Sequence, residues 1–179
     1  MRIAVWSVVS LAALNACAPH NSNRYFPQAT AELTMSGALE QTVMHPRVNA
    51  GYAATIAGGR YSLWFQWPEE HPEAQRMPMS MSNGSPAFVF GTDSQPTVGT
   101  HLISRFYAGA AGAIDALMEG PHQNTSWSSD SGVLRITTSH RRTGTLAGDF
   151  DVWMQCTQRC PCNVKEGCEV RVRGSFAIP

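Results

Sequence analysis

Apolar and polar side chains alternate with a period of two along much of this chain. In the segment RYSLWFQWP the apolar positions are Tyr61, Leu63, Phe65 and Trp67. Residues 145–154 and 169–178 follow the same pattern, which is typical of antiparallel strands with one buried face and one face in water. Segments of similar character predict further strands at residues 32–43, 51–56, 87–90, 100–107 and 133–139.

Segments rich in glycine, proline, asparagine and serine, such as MSNGSP and GTDSQPTVG, separate the predicted strands. These residues favour turns. About eight short strands at this spacing predict a single all-β domain, either an antiparallel sandwich or a small barrel. We expect this domain to cover residues 29–179. It contains at most one short helix, at residues 110–119, where Ile114, Leu117 and Met118 have helical spacing.

The last third of the chain predicts a three-stranded meander. Residues 133–138 pair with residues 145–154 through the connection SHRRTG, and the second strand pairs in turn with residues 169–178. A cysteine-containing loop forms the second connection. Cys156 then closes one strand and Cys168 opens its partner, so that the two residues lie next to each other.

The N-terminus has the pattern of an export signal. Arg2 is followed by an apolar run over residues 3–14, which is too short to span a bilayer. The run ends in LNAC, residues 14–17, which resembles the lipobox of bacterial lipoproteins. The pattern SGVLRITTS, LAGDFDVWM and CEVRVRGSFAIP is similar to the C-terminal meander of many bacterial lipoproteins with small all-β domains, from which no activity follows.

The lipobox resemblance implies that residues 1–16 are removed and that Cys17 carries the acyl chains of a lipid anchor. Because Ala18 rather than an aspartate follows Cys17, the resemblance also implies that the protein is located in the outer membrane. Residues 17–28 are polar, contain two prolines and lack periodicity, so we expect a tether that keeps the domain near the membrane. The alternative is an ordinary signal peptide that is cut after LNA, with the cysteine following by accident.

If Cys17 carries the lipid, it cannot form a disulfide, and an even number of cysteines is left. The remaining four all lie in CTQRCPCNVKEGC, namely Cys156, Cys160, Cys162 and Cys168. In an oxidising compartment we expect two disulfides. The sequence leaves all three pairings open. It also leaves open a structural zinc site, although the spacing lacks the usual paired C-x2-C motifs, and a redox-active C-x-C pair.

Composition and motifs narrow the function. The net charge is zero, with 13 basic and 13 acidic residues, and no basic stripe predicts a nucleic-acid partner. The motifs G-x-S-x-G, H-E-x-x-H and G-x-G-x-x-G are absent, so we expect no catalytic residues and no cofactor. One alternative is a copper site, because a strand over RMPMSMS places three thioethers on one face and two histidines could complete it: Met77, Met79, Met81, His71 and His45. Methionines that fill a core or coat a contact surface are the simpler interpretation.

Two tryptophans lie opposite the main apolar stripes of their strands. Trp64 and Trp153 are therefore candidates for a contact surface that binds a protein or lipid headgroups, unless their strands are buried on both sides. We predict a lipid-anchored, non-catalytic module that binds other envelope proteins. The alternative is a lipocalin-like carrier of an apolar ligand. A carrier would have a cavity inside its barrel, whereas the interior of a binding module would be filled with side chains.

Overall fold

The computed structural model describes residues 24–53, 60–67, 87–105, 114–119, 125–158, 160 and 168–179. In these ranges the chain forms eleven strands and no helix, which confirms the all-β class. No helix with the length and apolar character of a membrane span occurs in the same ranges. The strands are β1 Arg24–Tyr25, β2 Thr30–Gly37, β3 Gln41–Met44, β4 Arg47–Ala53, β5 Arg60–Gln66, β6 Ala87–Thr92, β7 Gly99–Ile103, β8 Asp115–Glu119, β9 Ser126–His140, β10 Thr145–Gln158 and β11 Glu169–Ile178.

All eleven strands belong to one antiparallel sheet in the order β1-β4-β5-β6-β8-β9-β10-β11-β2-β3, with β7 also paired to β9. β7 and β8 use different parts of the same edge of β9. Leu117–Glu119 of β8 pairs with Ser126–Ser128, and Gly99–Ile103 of β7 pairs with Gly132–Ile136. Among the described residues the path ends at β1 and β3 without a pairing between them, so the sheet is not a closed barrel.

The sheet folds over on itself. Phe65 on β5 contacts Phe150 on β10 and Phe176 on β11, with ring centroids 5.6 Å apart in both cases. These strands are four and five places from β5 in the sheet order, so the contacts join two facing layers. The arrangement is sandwich-like, and a sandwich is one of the two architectures that the sequence predicted.

The space between the layers is filled by aromatic rings and aliphatic side chains. Phe65, Phe88, Phe90, Phe150 and Phe176 form one cluster in which neighbouring centroids are 4.8 to 6.5 Å apart. These are the usual spacings of packed aromatic pairs. Two tryptophans of the core, Trp67 and Trp127, are fully buried, and their indole nitrogens have no hydrogen-bond partner among the described residues.

A sharp corner connects the two ends of the sheet. β3 lies at one end of the strand order and β4 lies beside β1 at the other, yet only His45 and Pro46 separate them along the chain. His45 has a φ of 52°, in the left-handed region that non-glycine residues seldom adopt. Its backbone N–H donates a hydrogen bond to the carbonyl of Ala31. The corner brings the chain from one layer into the other.

The predicted meander is confirmed. β9 and β10 pair antiparallel, and β10 pairs with β11 over ten residues from Leu146 to Gln155. Phe150 lies opposite Gly174 in this ladder. A Cβ atom at position 174 would lie 2.5 Å from the Phe150 ring and 2.5 Å from the carbonyl oxygen of Glu32. Glycine at 174 therefore lets Phe150 cross the strand and reach the core.

Two predictions about local structure are wrong. The segment expected to hold a short helix forms β8 instead, which pairs with β6 and β9 and buries Ala116 and Met118 in the core. Pairing on both edges satisfies its backbone and overrides a weak helical spacing. Residues expected to belong to the tether are also part of the domain, because Arg24 and Tyr25 form β1 and pair with β4.

The predicted strand at residues 32–43 is a hairpin of two strands, β2 and β3. The chain turns at residues 38–40, which explains part of the difference between the eight predicted strands and the eleven observed. Burial alternates along β2, with Ala31, Leu33 and Met35 buried. The strand character was therefore predicted correctly, although the turn within the segment was not.

We expect Gly174→Ala to lower the free energy of unfolding by about 1 to 3 kcal/mol, because the added methyl group forces Phe150 or the backbone of β2 to move. Urea denaturation measures this change. The matched control is Ser175→Ala on the same strand, which alters an exposed side chain and should change stability by less than about 0.5 kcal/mol. Equal effects of the two substitutions would contradict the close approach.

Candidate interaction surface

Trp153 lies on the outer face of the meander. Its neighbours Val152 and Met154 are fully buried in the core, so the alternation of β10 directs the indole ring away from it. The residue is 44 % exposed. The structure thus places Trp153 where the sequence pattern predicted it.

Arg171 holds the Trp153 ring in place. The two residues are opposite each other on β10 and β11, and the guanidinium carbon lies 5.1 Å from the centroid of the indole ring. The same guanidinium donates two hydrogen bonds to Asp151, with Nε 2.8 Å from Oδ1 and Nη2 2.5 Å from Oδ2. This two-point contact fixes the plane of the guanidinium, and cation–π attraction then orients the ring. Trp153 is therefore ordered without being buried.

The charges of this group reinforce one another. The pKa of the Asp151 carboxyl lies below its usual value, mainly because Arg171 hydrogen-bonds to the charged form, while partial burial opposes the shift. Arg173 adds a weaker attraction, with its Nε 3.9 Å from Oδ1 of Asp151. The pKa of Arg171 is raised by its hydrogen bond to Asp151. Both groups are accordingly ionised at neutral pH.

The surface continues from Trp153 toward β7. Val133 on β9 lies opposite Asp151, and Leu102 on β7 lies opposite Val133. Leu102 is 78 % exposed, and adjacent strands are about 4.8 Å apart, so it lies about 10 Å across the sheet from β10. We call this surface the Trp153 face and define it by Leu102, Val133, Asp151, Trp153, Arg171 and Arg173.

Trp64, the other predicted contact residue, is not available to a partner. It is only 7 % exposed and packs with Ala87 and Val89 in a second hydrophobic cluster. Its indole nitrogen donates a hydrogen bond to the hydroxyl of Ser62 at 2.8 Å. β5 is buried on both faces, which is the alternative that the sequence left open for Trp64, because alternation does not reveal whether a second face is also covered.

The cysteines of the second connection lie together at the end of the meander. Cys156 and Cys160 form a disulfide, and Cys168 is also disulfide-bonded. Of the three pairings that the sequence left open, only the one joining Cys156 to Cys160 is compatible with this bond. Cys162, the fourth cysteine of this connection, lies outside the described residues.

Several predicted site residues are not in the described part of the chain. The predicted lipidation site Cys17 and the copper candidates Met77, Met79, Met81 and His71 all lie outside it. His45 is described and lies at the corner between β3 and β4. There it lines an open groove of about 280 Å³ together with Glu32, Met44 and Ser175.

Comparison with known protein families, with curated proteins and with solved structures found no significant match.

The sequence pattern predicted that Trp153 is exposed, but it did not predict that Arg171 and Asp151 hold the ring in place. The available signal was the alternation of outward-facing Asp149 and Asp151 on one predicted strand and Arg171 and Arg173 on the next. Opposite charges on paired strands stabilise a sheet. Only the observed register shows that Arg171, and not Arg173, lies opposite Trp153.

We expect the stabilising effect of Asp151 to depend on pH. Because its pKa in the folded protein is below the unfolded value of about 3.9, its contribution is complete above that value and is lost as the pH falls through the folded pKa. Asp151→Asn should therefore be less stable than the wild type at neutral pH and approach it in acid. Urea denaturation over a pH series tests this, and a difference that is independent of pH would contradict it.

Proposed function

We propose that this protein is a lipid-anchored, non-catalytic module of the bacterial outer membrane that binds another envelope protein through the Trp153 face. The anchor rests on the resemblance of LNAC to a lipobox, which assigns the lipid to Cys17. Acyl chains and the short polar segment before β1 keep the domain close to the membrane, where its partners are other anchored or periplasmic proteins.

The observation that carries this proposal is an exposed tryptophan that is held in a fixed orientation. Tryptophan and arginine are enriched at the energetic centres of protein interfaces, and Trp153 and Arg171 are in contact on this face. A ring that is already ordered loses little conformational freedom on binding. Leu102 and Val133 add apolar area beside the charged pair, as in interfaces with an apolar centre and a polar rim.

The alternative function, a carrier for an apolar ligand, has less support. A lipocalin-like carrier needs a closed barrel with an interior cavity. The described sheet is open, and its interior is occupied by the cluster of five phenylalanine rings. The groove beside His45 is shallow, open and smaller than the pockets that usually enclose such ligands.

The anchor is tested by Cys17→Ser. We expect the wild-type chain to fractionate with outer membranes and the variant to appear in the soluble fraction, because it lacks acyl chains. Mass spectrometry of the mature N-terminus provides an independent readout. A variant that stays in the membrane fraction, or a wild-type N-terminus without a lipid, would disprove the anchor.

The binding surface is tested by extraction in mild detergent, native separation by size, and identification of co-migrating proteins. We expect the wild type to migrate in an assembly of constant composition and Trp153→Ala to migrate largely alone, because loss of an interface tryptophan costs about 2 kcal/mol or more. Met44→Ala is the matched control, since Met44 is a similarly exposed apolar residue on another strand. Migration of the wild type as a single particle with bound lipid would favour the carrier.

A further inference from the structure

The three described cysteines of the second connection form a compact group of sulfur atoms. The sulfurs of Cys156, Cys160 and Cys168 all lie within 4.8 Å of one another. We call these three residues the cysteine cluster. One disulfide bond brings two sulfurs together but does not by itself require a third sulfur at this distance.

The backbone of the meander holds two of these residues side by side whatever the state of their sulfurs. The N–H of Cys156 donates a hydrogen bond to the carbonyl of Cys168 at 3.1 Å, which continues the ladder beyond the pair Gln155 and Glu169. Residues opposite each other in such a ladder have Cβ atoms about 4.5 to 5.5 Å apart. Reduction of the disulfides leaves this part of the arrangement intact.

The cysteine cluster is partly shielded from water. Cys168 is buried, and Cys156 and Cys160 are partly buried and pack against the hydrophobic core. Trp127 lies opposite Cys156 on β9, and its indole nitrogen is buried without a hydrogen-bond partner among the described residues. Apolar surroundings of this kind limit the access of water to a metal site and its ligands.

The three sulfurs are close enough to share one metal ion once the bond between Cys156 and Cys160 is open. A tetrahedral zinc ion has Zn–S bonds of about 2.3 Å, which places its sulfur ligands about 3.8 Å apart. We propose that, when its disulfides are reduced, the cysteine cluster binds a zinc ion through three thiolates, and that a fourth ligand completes the tetrahedron. The oxidised and metal-bound forms are then two alternative ways of closing the same connection. This proposal does not depend on the lipid anchor or on the Trp153 face.

The change between the two forms balances as follows. A dithiol donates two electrons and two protons to the Cys156–Cys160 bond, which opens to two thiols while the dithiol closes to its own disulfide. A second dithiol opens the disulfide of Cys168 in the same way. Zinc then displaces one proton from each of the three thiols, and no further electrons are transferred.

The first test uses the full chain carrying Cys17→Ser, so that only the cysteines of the connection remain. The protein is reduced with a dithiol, freed of the dithiol without air, and titrated with Co²⁺. We expect one Co²⁺ per chain with the absorption of thiolate-to-metal charge transfer, which zinc then abolishes. Oxidised protein should show no such absorption. Absence of the absorption in reduced protein would overturn the proposal.

The second test assigns the ligands without changing them. The same reduced protein is treated briefly with iodoacetamide with and without zinc, and the modified cysteines are identified by peptide mass spectrometry. We expect zinc to slow alkylation of all three members of the cluster by more than about tenfold. Unprotected Cys168 would show that the site is not the one proposed.

Two comparisons separate a folded site from cysteines that bind zinc in any conformation. Cys168→Ser should weaken Co²⁺ binding by more than about tenfold, whereas His45→Ala, which removes an exposed imidazole remote from the cluster in sequence, should not change it. Wild-type affinity in the Cys168→Ser variant would contradict the proposal. Concentrated urea should weaken Co²⁺ binding by the reduced Cys17→Ser chain by a similar factor, because unfolding separates β10 from β11. Equal affinity with and without urea would also contradict the proposal.

Discussion

The contact of Phe65 with Phe150 and Phe176 is the interaction on which the rest of the structure depends. These rings come from strands four and five places apart in a single sheet, and their packing turns a long ribbon of strands into two layers with a common core. Burial of such rings is among the largest favourable terms available to a domain of this size. Without the contact, the inner face of the meander would be open to water.

That constraint also creates the Trp153 face. β10 must place Phe150, Val152 and Met154 inward to fill the core, so the intervening residues necessarily point outward. An exposed indole is ordinarily mobile, but the guanidinium of Arg171 lies over the Trp153 ring and is itself fixed by hydrogen bonds to Asp151. The core therefore determines where Trp153 lies, and the charged pair determines how it is held.

The meander has a second consequence at its other connection. β10 and β11 continue pairing as far as the N–H of Cys156 and the carbonyl of Cys168. The end of the ladder therefore places Cys168 beside Cys156, and with Cys160 they form one group. The pairing of β10 with β11 thus positions both the Trp153 face and the cysteine cluster, which lie at different places along these strands.

The sequence by itself determined the strand class, the inward stripe of β5, the meander and the adjacency of Cys156 to Cys168, because each follows from local alternation and from neighbouring hairpins. It did not determine which outer faces are covered. Trp64 and Trp153 occupy equivalent positions opposite apolar stripes, yet Trp64 is buried with Val89 while Trp153 reaches solvent. Alternation specifies which side chains share a face, whereas burial of that face depends on the packing of distant segments. For the same reason only the tertiary structure decided that Asp115–Glu119 is a strand, that Cys156 pairs with Cys160, and that Arg171 contacts Trp153.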